Sequence, residues 1–121
     1  MQFKKKLSFI RVTLNNIHQW RKNMTISSKQ NIITISGNIK SVAHYHAIME
    51  EIDKIKQEFN LIKIYLLDSI SIISSVIGYL CKLVNLGHEI ELYVTNTELH
   101  DLLNDLNLLQ TLKVRKTTSL T

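Results

Sequence analysis

The sequence predicts an α/β domain on a mixed β-sheet, a parallel core preceded by an N-terminal hairpin and packed by helices. Three observations carry this. Two short β-prone runs within residues 24–36 flank the polar "SKQN", which is the pattern of a hairpin. Apolar residues then recur at helical spacing in three separate segments, and each is followed by a short run of strand character. From residue 24 the order is therefore β β α β α β α β. Repeated β-α-β units imply parallel strands joined by right-handed crossovers.

The hairpin comes first, and Gly37 ends its second strand. Ser41 is a good helix cap, and Val42, Tyr45, Met49, Ile52, Ile55 and Phe59 form a stripe with Glu50, Asp53, Lys54 and Gln57 on the remaining surface. "LIKIYLLD", from Leu61 to Asp68, has few polar interruptions, so it is expected inside the sheet with both faces covered at least in part. From about Ser75 to Leu86, apolar positions cover most of a helix circumference, which predicts a largely buried helix with Gly87 as its left-handed stop. "EIELYVT", from Glu89 to Thr95, alternates as a strand with one buried face. Thr95 and Glu98 have capping-box spacing ahead of a stripe at Leu99, Leu102, Leu103 and Leu106. Leu112 and Val114 suggest a short closing strand.

Residues 1–23 form an extension of uncertain structure ahead of a single domain at 24–121. Phe3, Leu7, Ile10, Leu14 and Ile17 fit a helix, whereas Ile10, Val12 and Leu14 fit a strand, and pattern alone does not separate the two. The apolar content is too high for a solvated tail, so the extension is expected to pack on the domain or in a homodimer contact, with Trp20 as an anchor. "MQFKKKLSFIRVTL" imitates a signal peptide, but Arg11 interrupts the apolar run and no small-residue cleavage site follows. The start is therefore read as part of the mature chain.

At 121 residues the chain suits one domain. No window approaches the ~18 consecutive apolar residues of a membrane span, so no membrane insertion is expected. The single Cys81 has no internal disulfide partner, which points to a reducing cytoplasm. The formal charge of +5 is concentrated at the two ends, in Lys4, Lys5, Lys6, Arg11, Arg21 and Lys22 and then Lys113, Arg115 and Lys116. Such ends attract nucleic acid or anionic lipid, but the sheet is expected to lack the exposed aromatic and basic pairing of an RNA platform. Nucleic acid is therefore not the expected partner, and a small basic nucleic-acid-binding protein remains an alternative.

Other chemistry finds little support. Ser75, His88 and Asp68 suggest a triad, yet Ser75 and His88 sit at opposite ends of one predicted helix, too far apart for a hydrogen bond. His44 and His46 in "HYH" project about 200° apart on a helix and do not chelate one metal readily. Cys81 reads as a small core side chain. No catalytic site, metal or cofactor is expected.

The order of elements, together with "ISGNI" and "ISSVIGYL", resembles the STAS domain, the family of bacterial anti-sigma factor antagonists and of sulfate-transporter tails. The resemblance covers about residues 24–116. The family's Gly followed by a polar residue is similar to Gly37-Asn38, and its Asp-Ser-Ser/Thr-Gly-x-Gly helix start aligns with Ile73-Ser74-Ser75-Val76-Ile77-Gly78. Here Ile73 stands for the family's Asp and Val76 for its first Gly.

The resemblance implies a protein-binding regulatory module, not an enzyme, with Asn38, Ser74, Ser75 and Gly78 on its partner surface. It implies an anti-sigma or switch kinase as partner and Ser75 as the phosphorylated position. The family also includes accessory subunits of lipid-transport ATPases, in which Ser75 would be an unmodified contact. A plainer reading of the serines has Ser74 capping the helix and Ser75 in its first turn.

Overall fold

The computed structural model describes residues 24–69 and 71–118, and the extension at 1–23, with its expected packing, lies outside them. β1 (Thr25–Lys29) and β2 (Ile32–Ser36) are followed by α1 (Val42–Lys56), β3 (Leu61–Leu67), α2 (Ser74–Asn85), β4 (Glu89–Val94), α3 (Thr97–Asp105) and β5 (Val114–Lys116). The spatial order of the strands is the chain order, β1-β2-β3-β4-β5. Among the described strands the β1–β2 pair alone is antiparallel; the three later pairs are parallel. This is the α/β class and the mixed sheet that the sequence predicts.

Topology decides where the helices go. Each parallel crossover adds its strand on the same side of the previous one, so connections of one hand lay α1, α2 and α3 on one face of the sheet. The register agrees. Ile33, Ile64, Leu92 and Val114 form one row across four strands, and Ile35, Leu66 and Val94 form the next. All seven are buried, in one core with Ile48, Ile52 and Ile55 of α1, Val76, Leu80 and Leu83 of α2, and Leu99 and Leu103 of α3. Between α1 and α2, the Tyr79 hydroxyl donates to Asp53, which is paired with Lys56.

The structure corrects several details of the sequence reading. Val42 is 67% exposed, and Ile48 takes its place on the buried stripe; six residues at ~100° each put Val42 roughly 120° away from Ile48. Leu102 lies off the Leu99–Leu103 line, and Leu106 is the C-cap where the chain leaves the helix, so both remain exposed. β3 meets the expectation, lying inside the sheet with one face fully buried and Leu61, Lys63, Tyr65 and Leu67 half-buried on the other. α2, expected to be largely buried, is instead one-sided, exposing Ser74, Ser75, Gly78, Lys82 and Asn85. The expected stop at Gly87 is present. Its φ is +103°, its N–H donates to the Val84 carbonyl at 3.0 Å, and the His88 N–H donates to that of Leu83 at 3.0 Å, a Schellman ending.

Candidate partner-binding surface

Because β2 to β5 run in parallel, the segments that leave β2, β3 and β4 meet at one edge of the sheet, and α1, α2 and α3 begin there. Two of these segments are joined to each other. The Ser69 hydroxyl, fully buried, donates to the Gly37 carbonyl at 2.5 Å. The Ile39 N–H donates to the Ser71 carbonyl at 3.1 Å, and the Ser71 N–H donates to Asn38 Oδ1 at 3.3 Å. Ile39 and Ile72 form a parallel bridge with both side chains buried. Gly37 makes the turn possible at φ +96°, a conformation costly for residues with a side chain. The third segment is tied in through Thr95, whose Oγ1 accepts from the Asp68 N–H at 2.8 Å while Asp68 sits at φ +61°.

The helix starts at this edge are not alike. Ser41 caps α1, its hydroxyl accepting from the His44 N–H at 3.1 Å, and His44 Nδ1 accepts from the Lys40 N–H at 3.2 Å. Burial, and after it the Lys40 charge, hold the His44 imidazole below the usual histidine range. Asn96 caps α3, accepting from the Leu99 N–H at 3.1 Å. This displaces the expected Thr95–Glu98 capping box, because the Thr95 hydroxyl is engaged by Asp68 instead.

At α2 the N-cap is Ile73 and no side chain makes a capping bond, so Ser74 is not the cap. The physical reason lies one residue earlier. Ile72 is held in the core by its bridge to Ile39 and Ile73 packs against that core, which fixes the helix start before either serine. Ser74 and Ser75 occupy the first turn, both exposed, with no acidic residue beside them.

The structure brings the expected site residues to one edge. At ~100° per residue, Ser74, Ser75 and Gly78 fall within about 100° of arc on α2, and Asn38 belongs to the loop bridged to the segment that leads into it. A Cβ built on Gly78 meets nothing within 4 Å, so no packing contact requires glycine there. Ser69 and Ser71, which organise the edge, escaped the sequence reading, and Asp68 and Thr95 were assigned other roles there. The polar run "SISIISS" was the available signal, but which backbone groups it would meet depends on the pairing of β2 with β3.

A crevice of about 710 Å³ opens beside this edge, lined by Asp68, Thr95, Asn96, Lys116, Thr117 and Thr118. Lys116 Nζ donates to Thr97 Oγ1 there at 2.7 Å. His88 lies beyond the far end of α2, with Nδ1 3.4 Å from the Asn60 carbonyl, so Ser75 and His88 are not brought together. His44 is engaged at the α1 start while His46 is exposed beside Tyr45. Among the described residues no three His, Cys, Asp or Glu side chains come together as a metal site, and no helix is long and apolar enough to cross a membrane.

The small α/β domain with its mixed sheet is compatible with the STAS fold. Comparison of the chain with protein-family models, curated proteins and solved structures finds no match in any of the three.

Proposed function

We propose that this chain is a non-catalytic regulatory module of the anti-sigma factor antagonist type, which binds another protein through the edge carrying Asn38, Ser74, Ser75 and Gly78. One observation carries the reading: the loop containing Asn38 and the segment leading into Ser74 and Ser75 are hydrogen-bonded into a single surface. Ser75 is its switch position. It is exposed in the first turn of a helix with no side-chain cap and no acidic neighbour in that turn. The positive end of the helix dipole accommodates a phosphate there. A phosphate would add about −1.5 to −2 charges to a surface that a partner has to touch. The expected partner is a cytoplasmic switch kinase of the anti-sigma type.

The test is to recover the protein with its native partner and titrate that partner against variants. Ser75→Asp should weaken binding by at least ~1.4 kcal/mol, tenfold in affinity, while Ser75→Ala changes it little. Equal affinity for wild type and Ser75→Asp, with circular dichroism confirming the fold, would remove Ser75 from the contact. A transport ATPase in place of a kinase would assign the same edge to an accessory subunit.

A further inference from the structure

The face of the sheet opposite the helices raises a separate problem. Ser27, Thr34, Tyr65, Tyr93 and Arg115 form one row across all five strands on that face. Ile32 and Leu67 lie in the neighbouring rows and Leu61 one row further, all half-buried like the two tyrosines. Parallel strands are almost always covered on both faces, yet among the described residues every helix packs on the other one. The uncovered face is also shaped: beside the hairpin it carries a depression of about 460 Å³, where the short Ser27 and Thr34 adjoin Tyr65.

A nucleic-acid strand fits this face poorly. The Tyr65 and Tyr93 rings stack with centroids 4.5 Å apart and planes 9° from parallel, close to the ~4.8 Å between neighbouring strands. They therefore stand upright on the sheet with one face of each ring covered by the other, so neither ring lies flat as a platform for a base. That partly corrects the sequence reading: aromatic and basic groups do share this face, but not as an open platform. Lys29, Lys63 and Arg115 are set against Glu89 and Glu91, a weak preference for a polyanion.

The chain itself supplies a better occupant. Residues 1–23 contain Phe3, Leu7, Ile10, Leu14, Ile17 and Trp20 among their large apolar side chains. They join the fold at Met24, and the next residue, Thr25, pairs with Ser36, which pairs with Leu67 on the uncovered face. Crossing from β1 to β3 takes two gaps of ~4.8 Å, and the five residues from Trp20 to Thr25 reach ~16 Å when extended. Even at the ~1.5 Å rise of a helix, 23 residues exceed the four gaps from β1 to β5. We propose that residues 1–23 of the same chain cover this face, with the Trp20 indole against the row of Thr34, Tyr65 and Tyr93. The inference does not depend on the reading of the opposite site.

Trp20 is the only tryptophan, so its fluorescence in the full-length protein reports on the proposal directly. The expected result is emission to the blue of free tryptophan amide, unchanged across a wide dilution series. Tyr93→Lys should move it to the red and raise acrylamide quenching severalfold, with circular dichroism retained, while Leu106→Lys on the helix side leaves it alone. If Tyr93→Lys does not fold, Thr34→Lys reads the same contact. Solvent-like emission in the wild type, or blue emission that no substitution on this face moves, would overturn the proposal. So would emission that turns red on dilution, which would assign the face to a second copy, or wild-type emission that moves only when a single-stranded oligonucleotide is added.

Discussion

The starts of α1 and α2 lie side by side, joined by the Ile39–Ile72 bridge, yet they are built in opposite ways. α1 is closed by its own side chains, through the Ser41 hydroxyl and the His44 ring. α2 is closed by nothing but its connection to the core at Ile72 and Ile73. The difference teaches that a helix start need not be capped where tertiary packing already fixes the chain. It also leaves the positive end of α2 open to whatever approaches Ser75. The α1 start is closed by side-chain hydrogen bonds, whereas the α2 start exposes Ser74 and Ser75.

The contrast can be broken most severely at the joint. Ile39 is fully buried, so Ile39→Ala should cost ~2–5 kcal/mol and release the Ser71 amide to faster hydrogen exchange. Unchanged exchange at Ser71 would mean that the two loops are not coupled. Ser41→Ala should cost ~1 kcal/mol in denaturant unfolding, the usual loss for a serine cap. Gly78→Ala should stabilise by ~0.5–1 kcal/mol, because the position is helical and a methyl group meets nothing there. If the same change weakens partner binding, glycine is kept for the contact and not for the fold.

Acid should act at the α1 start. The His44 pKa is lowered in the fold, so its contribution to stability is present above the unfolded value of about 6.5 and is lost as pH falls through the folded one. Protonation also removes the Nδ1 acceptor of the Lys40 N–H. His44→Gln should flatten that part of the pH–stability curve, and a curve identical to wild type would take His44 out of the α1 closure. The smallest effect belongs to α2. Ser74→Ala should change stability by no more than a few tenths of a kcal/mol, well below the ~1 kcal/mol of a cap, and a full cap-sized loss would reverse the comparison.

The fold was legible because its signals are local. The alternation of Ile90, Leu92 and Val94, the stripe Ile52 and Ile55, and the Gly87 stop all depend on residues close in sequence, and all appear where expected. Ser41 as the α1 cap is of the same kind. The α2 start was not legible, since Ser74 has the chemistry of a cap and Ile73 does not. What displaced the cap is the burial of Ile72 against Ile39, a contact between residues 33 positions apart. Thr95 was misread for a similar reason, because its hydroxyl is taken by the Asp68 amide from another strand end.

By itself, then, the sequence determined the kinds of element, their order and the α/β class, because hydrophobic period and turn chemistry act over a few residues. The candidate serines and Asn38 also came from it, through their resemblance to a known pattern. Only the tertiary structure decided that Asn38 and the segment before Ser74 form one surface, that α2 begins without a cap, and that the three described helices all pack on the face opposite Tyr65 and Tyr93. Those outcomes follow from strand order and register, which are set by which distant strands pair and on which side each crossover lands. No local stretch of the chain carries that information, since pairing is won by the whole buried core at once.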